Sequence, residues 1–168
     1  MSLFILTSLN KYYAHLGAQT KRALLIGVGK YPVEGGWASL SSANDLQLIK
    51  NVLIDKGYRS DDILVLSDER ATKSGIKECI EKRLLAAVQP GDIVYLHYSG
   101  HGQQKQDFDG DEVDGYDECI VPYDSPKKFQ KGVYEGENLI TDDELGFWSK
   151  QIRQKAGPAG QLFVVLDA

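Results

Sequence analysis

The amino-acid sequence predicts an α/β fold three layers thick, with a mainly parallel central sheet flanked by helices. Two observations carry this expectation. Short, continuously apolar runs recur from residue 22 onward, and the longer segments between them repeat apolar residues every three to four positions. A run without polar alternation is buried on both faces, so helices must cover both sides of the sheet through right-handed crossovers.

Residues 1–20 stand outside the pattern and are read as a flanking segment, with Leu6, Leu9, Tyr13 and Leu16 at helical spacing and His15 exposed; residues 21–168 form one domain. The first strand is Ala23 to Val28, followed by a helix from Asn44 to Lys56 that gathers Leu46, Ile49, Leu53 and Ile54 on one side. Ile63 to Leu66 is the second strand. A second helix, Ser74 to Val88, is stopped by Pro90 and Gly91, and Ile93 to His97 is the third strand. Glu118 to Pro122 extends the sheet or forms an edge hairpin, because Pro122 cannot donate to a central ladder. Ser125 to Asn138 is polar and reads as a surface loop. Thr141, Asp142, Asp143 and Glu144 match a capping box for a helix containing Leu145, Trp148 and Ile152, which Gly157 and Pro158 end. Gln161 to Leu166 is the last strand.

Composition sets bounds on function. The 168 residues are 42% hydrophobic and 26% charged, enough for one globular core, and the formal charge of −5 argues against a general nucleic-acid surface. The apolar start, Leu3 to Leu6, is too short and lacks the preceding positive charge of a secretory signal, and no stretch approaches the roughly 20 apolar residues of a membrane span. A soluble, monomeric, cytoplasmic protein is expected. The two cysteines are too few for a disulfide framework. Cys79 shares a helical face with Ile76 and Ile80, and Cys119 follows an acidic run that would raise its thiol pKa, so neither reads as reactive.

In an open α/β sheet, functional groups collect at the carboxyl ends of the strands. That rule points to Gly27 to Trp37, Ser67 to Arg70, Ser99 to Gly102, and Asp167 onward. His101, between Gly100 and Gly102 at a strand tip, suits a general base or a thiolate partner, whereas His97 lies inside the strand and reads as structural. Other motifs fail. A nucleophile elbow around Ser99 would need Gly where His97 stands, and the glycines at 27 and 29 lack the third glycine of a dinucleotide loop. Asp107, Asp109, Asp111 and Glu118 fall on calcium-loop spacing, but Glu112 occupies the position that wants Gly, so the acidic run is either a solvated loop or a different cation site.

The series Ala23 to Gly29, Ser42 to Asp45, Gly57-Tyr58, Ala71 to Lys73, His97 to Gly102, Gly110 to Glu112, Asp114 to Glu118, Thr141 to Leu145 and Leu166-Asp167 resembles the caspase-like cysteine peptidases, in the metacaspase and orthocaspase branch. The resemblance implies a caspase-like fold and a cysteine endopeptidase cutting polypeptides after Arg or Lys. It implies that His101 is the catalytic histidine and that the Gly102 N–H is an oxyanion donor. It places the pocket for the basic P1 side chain on Ser42, Asp45, Ser99 and Asp167, and a calcium ion on Asp117, Asp142 and Asp143. In that family the last strand runs into a nucleophilic Cys, expected one residue beyond Ala168, so the chain as given is expected to be inactive. The rival expectation is a non-catalytic caspase-like domain that binds peptides or partner proteins.

Overall fold

In a computed structural model, residues 19–107, 110 and 112–168 are described. The flanking segment with Leu6, Leu9, Tyr13, His15 and Leu16 lies outside the described residues, as do Asp109 and Asp111 of the acidic run. In chain order the elements are β1 (Lys21–Gly27), α1 (Ser42–Asp55), β2 (Ile63–Ser67), α2 (Lys73–Glu78), α3 (Leu85–Ala87), β3 (Ile93–Ser99), β4 (Gly102–Gln106), β5 (Tyr116–Ile120), β6 (Ile140–Thr141), α4 (Asp142–Ala156) and β7 (Gln161–Asp167). The central sheet runs β2-β1-β3-β7 with every pair parallel, as the apolar runs predict.

Alternation along the buried strands divides the core into two layers. Ala23 and Leu25 pack with Leu46 and Leu53 of α1 and with Tyr58 on one face. Leu24, Ile26, Val94, Leu96 and Tyr98 meet Ile76, Ile80, Trp148 and Ile152 on the other. Burying one such aliphatic side chain contributes about 1.5–3 kcal/mol, so both layers are needed to hold a sheet this narrow. Gly27 is required where α1 crosses the strand tip: a Cβ there would lie 2.7 Å from Leu46 Cδ1. The helix departs from expectation at Ile54, which turns outward and is exposed.

The predicted helix from Ser74 to Val88 is helical but not uniform. Thr72 caps it, its hydroxyl accepting the Gly75 N–H at 3.0 Å, and the stretch Cys79–Leu84 between α2 and α3 is a π-helix. Such a bulge re-aims side chains within one helix, here keeping Cys79, Ile80 and Leu84 all buried. The capping box of α4 forms as read: Glu144 N–H donates to the Thr141 hydroxyl, and the Glu144 carboxylate accepts the Thr141 N–H. Gly157, at φ 68°, ends the helix in backbone that other residues rarely adopt.

The segment around Cys119 does not join the central sheet. It forms β5 of a second, antiparallel sheet ordered β4-β5-β6, with Gln103 opposite Cys119 and Lys105 opposite Asp117. Pro122 follows β5, so its missing N–H disturbs no ladder. At the amino-terminal end of the central sheet, Asp92 is buried and accepts from Arg22 Nε at 2.7 Å, Gln89 N at 2.9 Å and Thr20 N at 3.2 Å, while Arg22 also pairs with Asp62 at 3.0 Å. No helix among the described residues is long and apolar enough to cross a membrane.

Candidate active site

The site lies at the opposite, carboxyl end of the sheet, where the tips of β1, β3 and β7 meet. Ser99 stands in register with Gly27 on one side and Asp167 on the other. Val28 N–H donates to Ser99 O at 2.9 Å and Gly100 N–H to Asp167 O at 3.1 Å, so the three tips are laced together before the chain turns away. The sharp turn at Gly100 leaves no room for a side chain, since a Cβ would sit 2.3 Å from the Tyr98 hydroxyl. Gly102 faces the end of β7: a Cβ on it would lie 3.3 Å from the Ala168 Cβ.

His101 is held on all sides. Its Nε2 lies 2.9 Å from the Ala38 carbonyl, which can only accept, so Nε2 carries the proton and Nδ1 is the basic nitrogen. The ring stacks on Trp37 at 4.7 Å and 24°, and Tyr31 tilts against it at 5.3 Å. The Tyr31 hydroxyl accepts the His101 N–H at 3.2 Å and donates to Val121 O, while the buried Tyr98 hydroxyl bridges Val121 and His101 O. Burial pushes both phenols upward in pKa, which keeps them neutral donors at any physiological pH. Trp37 is itself anchored, its indole N–H donating to Ser125 O at 2.8 Å and Lys127 lying over its face at 5.2 Å.

The four residues expected to line the P1 pocket converge on this end. Ser42 begins α1, is fully buried and donates to Val28 O at 3.3 Å; Ser99 is buried at the β3 tip. Asp45 is half-buried in the first turn of α1, and Asp167 is exposed at the end of β7. Among the described residues neither carboxylate makes an ion pair. The three expected calcium residues are not brought together in the same way. Asp117 is buried with Lys105 Nζ at 3.9 Å, and Asp143 lines a cleft with Lys77 and Phe147. Asp142 instead gathers with Glu112 and Glu118, whose carboxylate oxygens all lie within 4.8 Å of one another.

Sequence reasoning missed the supports of His101. Tyr31, Trp37 and Ala38 lie in a loop of no recognisable motif, and Asp68, whose carboxylate accepts the Gly29 and Lys30 N–H groups at 2.9 Å each, holds that loop from the β2 tip. Asp68 does so at φ 45°, in the left-handed region that L-residues rarely adopt. The available signal was positional: Tyr31, Trp37 and Asp68 fall in the strand-end segments that the sheet rule selects, and Ala38 follows the first of them directly. Both cysteines are buried and unpaired, as read. Burial, rather than the acidic neighbours, is the main cause that pushes the Cys119 thiol up to about 12, with Asp117, Asp142 and Glu144 adding to it; burial also raises Cys79.

A family model described as the metacaspase peptidase C14 domain matches residues 21–168. The chain is 36% identical over 142 residues to a Metacaspase-1 of Mycosarcoma maydis, covering 81% of this chain and 33% of that protein. It is 36% identical over 159 residues to a Metacaspase-1 of Schizosaccharomyces pombe, covering 90% of this chain and 34% of that one. The chain thus spans about a third of the length of these curated relatives. Among solved structures, a Geobacter sulfurreducens protein matches with a TM-score of 0.64 at 26% identity, over 88% of this chain and 50% of the other.

Proposed function

From the premise that this chain belongs to the metacaspase family of C14 peptidases, we propose that it is the histidine-bearing part of a cysteine endopeptidase that cuts polypeptides after Arg or Lys. The observation that carries the reading is His101, fixed at the β3 tip through Nε2 with Nδ1 left for proton transfer beside the tip of β7. His101 Nδ1 takes the thiol proton, the thiolate attacks the scissile carbonyl, Nδ1 passes that proton to the leaving amine, water then releases the acyl group, and the Gly102 N–H contributes to the oxyanion site. Neither Cys79 nor Cys119 supplies that thiolate, because burial keeps both protonated. The chain by itself is therefore expected to hydrolyse no Arg- or Lys-ending fluorogenic peptide, and turnover abolished by thiol alkylation would overturn that assignment.

Asp45 and Asp167 select the P1 side chain. Two carboxylates without cationic partners attract a guanidinium or ammonium and repel an acidic P1 group. The test is calorimetric titration of the chain with matched peptide amides ending in Arg and in Asp. Tighter binding of the Arg peptide is expected, and a preference for Asp would overturn the pocket. The reading extends to a monomeric protein of a reducing, cytoplasmic compartment, supported by two cysteines that stay unpaired.

Calcium completes the proposal, since a set of carboxylate oxygens suits a hard cation. Glu112, Glu118 and Asp142 would hold it, with the Gln104 side-chain N–H steadying Glu118 at 3.0 Å. Calcium at about 100 times its Kd should stabilise the fold by about 2.7 kcal/mol, read as a rise in Tm that Glu118→Gln with Asp142→Asn abolishes. A Tm indifferent to calcium would remove the site.

A further inference from the structure

One group at the carboxyl end of the sheet is not used by the chemistry above. His97 lies within β3 at 4% exposure, on the sheet face that α1 covers, and among the described residues neither of its ring nitrogens has a hydrogen-bond partner. Its in-register neighbours, Leu25 on β1 and Val165 on β7, carry no polar side-chain atoms. Tyr95, two residues earlier on the same face, stacks parallel to it at 6.2 Å. A buried polar group without a partner lowers stability, and a functional role is one reason native proteins keep one. Two residues further along that face stands Ser99, in register with Asp167.

We propose that His97 is a specificity-determining residue of the P1 pocket: its neutral imidazole accepts a hydrogen bond from the cationic group held between Asp45 and Asp167, and a proton on the ring expels that group. This rests on the reading of a basic P1 pocket. The charged groups acting on the ring are Asp167 from β7 and Asp45 from α1, the two carboxylates assigned to that pocket. From β1, Ala23, Leu25 and Gly27 add no charge on this face, and Lys50 of α1 lines a cleft with Val65 and Ser67 on the β2 side instead. Among the described residues the remaining titratable neighbour is Tyr95.

The chemistry is complementary. Guanidinium and ammonium groups bring donors only, so two carboxylates and one acceptor nitrogen meet them without a donor clash. Burial holds the ring neutral by lowering its pKa below the usual 6.5, against the opposing pull of Asp167 and Asp45. A proton on His97 replaces the acceptor with a donor and sets a positive charge beside the P1 cation. By linkage the effect is reciprocal: protonation weakens cation binding, and a bound cation keeps the proton off by the same factor.

The 168-residue chain is titrated with benzamidine, a compact amidinium, in native, His97→Gln and His97→Phe forms. The native affinity is expected to fall about threefold or more between about pH 7.5 and about pH 5.5, against less than about twofold in His97→Gln, which cannot be protonated there. His97→Phe, which removes the acceptor, should bind about tenfold more weakly at the higher pH. Nuclear magnetic resonance of the native chain supplies a readout that needs no variant: saturating benzamidine should move the His97 titration to lower pH. Equal pH slopes in the native and His97→Gln chains, or a His97 titration unmoved by bound benzamidine, would overturn the role while leaving the basic pocket standing. No benzamidine binding at the higher pH would overturn the basic-P1 reading and this inference with it.

Discussion

The two ends of the central sheet treat charge in opposite ways. At the amino-terminal end, Asp92 is buried and its carboxylate takes two backbone N–H groups and the Arg22 side chain, which also reaches Asp62. At the carboxyl end, Asp45 and Asp167 have no ion-pair partner among the described residues, and His97 is buried with two unanswered nitrogens. Both ends belong to the same strands, so the difference is not one of secondary structure. A closed charge network fixes where strands start, whereas unpaired carboxylates around a rigid tip leave capacity for a ligand.

The sharpest way to break this comparison is to remove one member from each end. Asp92→Ala leaves the largely buried Arg22 with Asp62 alone and takes the acceptor from the Gln89 N–H, and should cost about 3–5 kcal/mol of stability, measured by urea denaturation, with benzamidine binding unchanged in the protein that remains folded. A loss below about 1 kcal/mol would show that the amino-terminal network does not hold the strand starts together. Asp45→Asn is the mirror experiment. Stability should fall by no more than about 1 kcal/mol, the contribution of a first-turn carboxylate at the α1 N-terminus, while binding of Arg-ending peptides weakens by about 2–5 kcal/mol. An Arg preference untouched by Asp45→Asn would mean that the carboxyl-end charges do not act on ligand.

A smaller effect separates support from chemistry within the carboxyl end. Trp37→Ala removes the stack on His101 and should lower stability by about 1 kcal/mol beyond its buried area. The His101 Nε2–H, bonded to Ala38 O, should then exchange faster with water, and Trp37→Phe should restore slow exchange. Unchanged exchange in Trp37→Ala would show that the carbonyl alone holds the ring.

The gentlest probe is acid. Because burial lowers the His97 pKa below 6.5 in the folded chain, the unfolded chain takes up that proton first as pH falls. The contribution of His97 to stability is therefore complete above 6.5 and is lost as pH falls through the folded value. His97→Phe should flatten the stability curve in that window, and a curve of unchanged slope would place the acid sensitivity elsewhere.

The central sheet was legible because Leu24, Leu25 and Ile26, like Ile93 and Val94, are apolar on both faces, the pattern of a parallel strand covered on both sides. The capping box at Thr141 was legible because its partners are three residues apart. The strand β4, Gly-Gln-Gln-Lys-Gln, was not, since polar residues of weak strand preference become a strand only by pairing with β5 across the acidic hairpin. The π-helical turn at Cys79–Leu84 likewise follows from packing on both sides of the helix, not from local spacing.

At the site the division is the same. Residue order by itself determined that His101 sits at a strand tip between two glycines, that Asp45 opens a helix, and that Asp167 ends the last strand, because each depends on neighbours within a few positions. Only the tertiary structure decided that Trp37 and Ala38 grip His101, that Asp142 gathers with Glu112 and Glu118, and that among the described residues His97 is left without a hydrogen-bond partner. Those outcomes depend on which segments from distant parts of the chain meet in space. Side-chain contact across such distances is fixed by strand register and helix placement, which no local pattern encodes.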